Sequence, residues 1–145
     1  MLADFIDICE HEGYVKPTVY QGLYNLIDRR PEVPGLDVVV RTHGMQFRTR
    51  FADSNIMSTD ARRHDKDKCH EAIRSLDRML EPHAIPKTEV ALRWFAFHSK
   101  LEPRDGIIFG ASKLSQVKQN VAATRRGLLS EDLAAALDGI WDTVK

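Results

Sequence analysis

The run Gly106-Ile107-Ile108-Phe109-Gly110-Ala111-Ser112-Lys113 passes from apolar residues, through two small ones, to a hydroxyl and an ammonium. A strand that ends at glycine and feeds a helix sets unbonded helix N–H groups and the positive end of the helix dipole at the strand's carboxyl end, where an anion is stabilised. Ser112 can donate its hydroxyl to a phosphate there, and Lys113 can set its charge against it. Gln116, Gln119 and Asn120, three or four residues on, can face the same side. The plainer reading of these residues is a serine helix cap followed by solvent-facing polar side chains. A second strand, Val15 to Gln21, ends in a glutamine, with Tyr24 and Asn25 in the loop beyond it. Gln21 and Asn25 can hydrogen-bond a carboxamide or a ribose, or simply satisfy the backbone of a turn.

Other chemistry finds less support. Cys9 lies on the apolar stripe of the opening helix, which predicts an inert buried thiol, and no positioned histidine partners it. His64, Cys69 and His70 follow no standard zinc spacing and read as part of a solvated charged segment. Arg48, Arg50, Arg62 and Arg63 are interleaved with Asp53, Asp60 and Asp65, which predicts a mixed surface rather than an anion-binding patch.

The elements that must position these residues follow from periodicity. Leu2, Phe5, Ile6 and Cys9 recur at helical spacing up to Gly13, a C-cap glycine, with no capping residue ahead of them. The run Gly35–His43 suits helix or strand, and Pro31 and Pro34 favour a helix beginning near Pro34. Met45 to Lys68 reads as a long irregular connection. Helices are expected over His70–Leu80 and Thr88–Ser99, the latter capped by Thr88. A strand follows over Gly106–Gly110, then a helix from Ser112 with Leu114, Val117 and Val121 on one stripe, and a last helix capped at Ser130.

This order is α/β with parallel strands, and only two strands are clear. So few parallel strands leave edges and faces uncovered, so the chain reads as part of a larger sheet whose remainder lies upstream.

With 145 residues, 21 basic and 21 acidic side chains and 43% hydrophobic residues, the composition is that of one globular domain with no net pull toward nucleic acid. No apolar run nears the ~20 residues of a membrane span, the start lacks a signal peptide's pattern, and Cys9 and Cys69 read as reduced thiols, so the expected compartment is the cytoplasm.

Lys16-Pro-Thr-Val-Tyr-Gln-Gly-Leu-Tyr-Asn25, Ala91-Leu-Arg-Trp94 with His98-Ser99, and Gly106 through Ser112 to Gln119-Asn120 occur together in an order that resembles the aflatoxin-aldehyde-reductase branch of the aldo-keto reductases. The resemblance implies a (β/α)8 barrel that binds NADPH across the carboxyl ends of its strands and reduces aldehydes or ketones by hydride transfer. It further implies that this chain is a partial TIM barrel, one domain over residues 1–145, covering strands six to eight. By the same analogy Gln21 bonds the nicotinamide carboxamide. Gly110, Ala111, Ser112, Lys113 and Gln116 line the 2′-phosphate of NADP(H), and Gln119 and Asn120 line the adenine. Lys113 is expected to favour NADPH over NADH.

Two departures are expected to matter. The family's Asp, Tyr, Lys and His tetrad belongs to the first half of the barrel and has no counterpart here, so no proton donor is assigned. After Gly44-Met45 the family's aromatic strand and small-residue loop give way to Gln46-Phe47-Arg48-Thr49-Arg50, so strand seven is expected to be missing. The competing expectations are an interaction module that self-associates through exposed sheet edges and a residual NADP-binding fragment.

Overall fold

The computed structural model describes residues 1–32, 36–51 and 67–145. Helix α1 (Leu2–Glu12) opens the chain without a side-chain cap and closes on Gly13, whose φ of 71° is a left-handed conformation that glycine adopts without a Cβ penalty. Strand β1 (Val19–Gly22) follows, then helix α2 (Leu36–Thr42), strand β2 (Gln46–Phe51) and helices α3 (Asp67–Leu80) and α4 (Lys87–Phe97). Strand β3 (Gly106–Phe109), helix α5 (Leu114–Thr124) and helix α6 (Glu131–Val144) complete the chain.

The three strands are parallel in the order β1-β2-β3. Gln46–Phe51, expected to be irregular and to mark the loss of a strand, is therefore the central strand, paired along Val19–Gly22 on one side and Gly106–Phe109 on the other. Its sequence hid it. A parallel strand covered on both faces normally reads as a continuous apolar run, whereas this one carries Arg48, Thr49 and Arg50 in its middle. The rest of that stretch, 52–66, lies outside the described residues, and with it Arg62, Arg63 and His64. The side chains of Arg48 and Arg50 do so too.

Right-handed crossovers between neighbouring parallel strands set the connecting helices on one face. Tyr20 and Ile107 accordingly pack into the helical core, built on Trp94, Phe95, Val90, Ile6, Met45 and Leu137. On the opposite face Val19 and Ile108 stay 43% and 38% exposed. Helix α4 packs on α5, and α3 on α6.

The caps differ from the sequence expectation. Helix α4 begins at Lys87 after an extended Pro86, whose fixed φ suits a helix start, so Thr88 lies inside the first turn. The stripe foreseen on α5 is not its buried one: Asn120 and Ala123 are buried, while Leu114 is 70% and Val121 36% exposed. Asn120 and Ala123 thus form the inward side of α5, and the larger Leu114 and Val121 face outward.

Gly22, the last residue of β1, lies under the Tyr20 ring. A Cβ at position 22 would stand 2.6 Å from Tyr20 Cε1, closer than carbon atoms approach. Tyr20 is held against the core, so Gly22→Ala is expected to cost about 1–3 kcal/mol by overpacking, measured by urea unfolding. An unchanged midpoint would show that the ring moves aside freely.

Candidate cofactor-phosphate site

Phe109 ends β3, and Gly110, Ala111, Ser112 and Lys113, all exposed, carry the chain from its carboxyl end to α5. The residue next to the helix is the extended Lys113 (φ −134°, ψ 143°), not Ser112. The capping oxygen comes from inside the helix. Gln116 Oε1 accepts the backbone N–H groups of Ser112 at 2.9 Å and Lys113 at 3.1 Å, and the Ser112 hydroxyl at 3.2 Å. Three donors thus converge on one oxygen at the positive end of a helix, on the open surface. This is the donor arrangement an anionic oxygen requires, and a side-chain carboxamide holds the place with no formal charge. The residues present therefore fit a phosphate group, with Lys113 supplying the nearby cation.

The remaining sequence-derived positions are spread along the sheet. Gln21 is exposed on β1, on the face opposite Tyr20. Its register partner is Arg48, and that of Arg48 is Gly106, so Gln21 stands level with the first residue of β3. It lies about 10 Å below the level of Phe109 and about 10 Å across two inter-strand spacings. Gln21 and Ser112 do not share a compact pocket; only an elongated ligand touches both. Gln119 is exposed on α5, whereas Asn120 is 7% exposed and turned toward the interior.

Asn25 takes the plainer of its two readings. Its backbone exchanges both hydrogen bonds with Asp28 at 3.0 Å, and its Oδ1 accepts the Ile27 N–H at 3.0 Å, so it builds a tight turn. Cys9 and Cys69 are buried free thiols. Among the described residues no group of three or more His, Cys, Asp or Glu side chains is placed to hold a metal ion, and no helix is long and apolar enough to cross a membrane. A groove along α3 lined by Glu71, Arg74, Asp77 and Arg78 carries both signs of charge and offers an ionic ligand no net attraction.

Sequence reasoning passed over the polar knot behind the β1 loop. Tyr24, 2% exposed, donates its hydroxyl to Glu32 and accepts the Lys100 N–H at 3.1 Å, tying that loop to the turn before β3. Burial, and then the hydrogen bond to the Glu32 carboxylate, raise its pKa well above the ordinary tyrosine value. Arg29, 6% exposed, lies 4.1 Å over the Trp94 ring and bonds Asp138 Oδ1 at 2.9 Å and the Leu137 carbonyl at 3.2 Å. Both residues hold the loop after β1 in place, and the signal for them was only a Tyr and an Arg among turn residues.

A parallel sheet with helices on one face and an anion-type cradle after its last strand defines an α/β protein of the kind that binds ligands at strand carboxyl ends. Residues 3–142 match the Aldo/keto reductase family, and the chain belongs to it. It is similar to aflatoxin B1 aldehyde reductase member 2 of Mus musculus, 30% identical over 174 residues, with 99% of this chain and 47% of that protein covered. It is also similar to oxidoreductase sirO of Leptosphaeria maculans, 28% identical over 158 residues, with 92% and 48% covered. The chain thus spans about half the length of the curated relatives it matches. The match to the mouse protein runs over more positions than the 145 residues of this chain, so that relative has residues within the matched stretch that are without counterpart here. Among solved structures, the apo form of aldo-keto reductase AKR11C1 from Bacillus halodurans superposes with a TM-score of 0.60 at 20% identity, covering 92% of this chain and 47% of that one. That likeness is one of fold.

Proposed function

We propose that the chain carries the adenosine-phosphate end of an NADP(H) site belonging to an oxidoreductase that reduces an aldehyde or ketone to an alcohol in the cytoplasm, where free thiols such as Cys9 and Cys69 persist. The observation that carries this reading is the convergence of three donors on Gln116 Oε1 at the start of α5. A 2′-phosphate oxygen replaces the carboxamide there, and Lys113 supplies the charge that prefers the phosphorylated ribose. Gly110 and Ala111 present no bulk to it, Gln119 lies along the adenine with Asn120 buried behind it, and Gln21 lies toward the nicotinamide. When bound, the reduced nicotinamide supplies the hydride. The proton that must reach the carbonyl oxygen has no donor assigned in these 145 residues. The chain alone therefore holds cofactor without turning it over.

Calorimetry with 2′-phospho-ADP-ribose and ADP-ribose tests the first part. The expected affinity is no better than roughly millimolar, because only part of a dinucleotide is gripped. The phosphorylated ligand should bind better, and Lys113→Glu should weaken it about tenfold or more by removing a charge-assisted contact. Equal binding of both ligands, or indifference to the substitution, would remove the assignment. NADPH with a panel of aldehydes tests the second part. Turnover that vanished in the Lys113→Glu variant would show that the chemical groups are present after all.

A further inference from the structure

Gln116 receives more donors than one carbonyl oxygen serves well. The Ser112 N–H, the Lys113 N–H and the Ser112 hydroxyl all reach its Oε1, at 2.9 Å, 3.1 Å and 3.2 Å, whereas a carbonyl oxygen has lone pairs for two. The crowding shows in the third bond, because a hydroxyl donor ordinarily closes to about 2.7–2.8 Å. A phosphate group offers three acceptor oxygens and takes the same donors separately, in charge-assisted bonds roughly twice as strong as neutral ones. No N–H serves both acceptors at full strength, so a phosphate enters only as the carboxamide leaves. The helix start does not depend on that carboxamide. The Gln116 and Val117 N–H groups both bond the Lys113 carbonyl, at 3.1 Å and 3.4 Å, so backbone closes the first turn of α5. Ser112 and Lys113 are exposed and Gln116 is half-buried, so water reaches a carboxamide that swings outward.

We infer that Gln116 is a built-in competitor of the cofactor's phosphate: it occupies the cradle while no anion is there, keeps the Ser112 and Lys113 donors aimed at one point, and is displaced when the phosphate binds. This deepens the cofactor reading above and rests on it. Each bond the cradle makes to phosphate is offset by one lost from Gln116, so the grip is looser than its number of donors suggests. A loose grip suits a redox cofactor, which must leave after each turnover before a fresh one enters. The opposite role is a carboxamide that stays in place and donates its own N–H to the phosphate. The two roles differ in sign, since removing a competitor tightens binding and removing a contact weakens it.

Calorimetry of the whole chain with 2′-phospho-ADP-ribose, wild type against Gln116→Met, reads that sign. Methionine keeps an unbranched side chain and a good helix propensity and has no carboxamide. The variant should bind about fivefold more tightly, the equivalent of one ordinary hydrogen bond no longer given up. Weaker or unchanged binding would overturn the competitor. Amide resonances of the wild type give a second readout that needs no substitution. On adding 2′-phospho-ADP-ribose, the Ser112 and Lys113 backbone N–H signals and the Gln116 side-chain amide pair should move together, and ADP-ribose should leave the pair unmoved. If the backbone signals move while the pair stays, the phosphate site stands and the competitor falls. A pair that moves equally with ADP-ribose also sinks it, because charge is then not what displaces the carboxamide. If none of these signals moves with either ligand, the phosphate reading itself falls and takes the competitor with it.

Discussion

Trp94→Ala is expected to cost about 3–5 kcal/mol from lost apolar packing and the cavity left behind, enough to consume much of a domain's ~5–15 kcal/mol. The indole is fully buried and meets Tyr24 and Phe95 edge-on, with centroid separations of 5.9 Å and 5.6 Å. It also supports polar groups that alanine would strand. Arg29 lies over its face, and its Nε1–H donates to Asp138 Oδ1 at 3.1 Å. The same carboxylate oxygen receives Arg29, so one side chain organises the contact between the loop after β1 and helix α6. Arg29 Nε is already buried without a partner, and losing the ring adds exposure of a charge to a void. Trp94→Phe keeps most of the volume and should cost clearly less. Urea unfolding followed by far-ultraviolet circular dichroism measures both, and equal small losses would show that the core relaxes around the cavity.

Much of the fold was legible because the apolar periodicities and glycine stops agree with the backbone. Gly13 ends α1, Gly110 follows β3, and the helix expected near Pro34 forms from Leu36. What failed to show was what tertiary pairing decides. The polar middle of β2 gives no strand signal of its own and is a strand because β1 and β3 flank it. The outward stripe of α5 looked like a core stripe because helical spacing says which residues share a face, not which face is buried.

The candidate site was legible as a place more than as an arrangement. The small residues after β3 and the polar residues of α5 marked a helix start at a strand's carboxyl end, where the structure has it. Spacing gave the same weight to Ser112 as a cap and to Gln116 as a neighbour. The folded chain reverses them, because a carboxamide one turn into the helix reaches back to two backbone N–H groups and a hydroxyl at once. The stagger that separates Gln21 from Ser112 is a property of strand register and is absent from either strand's own sequence. The anchoring roles of Tyr24 and Arg29 escaped notice for a related reason: Tyr24 bonds not only Glu32 but Lys100, 76 residues away, and Arg29 bonds Asp138, 109 residues away.

Tyr24→Phe is expected to lower stability by about 1–3 kcal/mol at neutral pH, because Glu32 loses a donor and the Lys100 N–H loses an acceptor. The size of the loss should depend on pH in one direction. Burial first, and the donated bond to the Glu32 carboxylate second, raise the folded pKa of Tyr24 above that of the unfolded chain. Below the unfolded value of about 10 both states hold the phenolic proton, and this group's contribution is fully present. Above it the unfolded chain releases the proton while the folded chain keeps it. The unfolded state then binds fewer protons, and stability falls with rising pH at up to about 1.4 kcal/mol per unit. Other groups titrate in the same range, so the informative quantity is the difference between the wild type and Tyr24→Phe. That difference should be flat from pH 7 to 9 and shrink between pH 10 and 11, as the wild type alone loses this contribution. A difference that stayed constant to pH 11 would mean that the Tyr24 hydroxyl ionises as readily in the folded chain as in the unfolded one, and the loop after β1 would then need another anchor than the Tyr24, Glu32 and Lys100 contact.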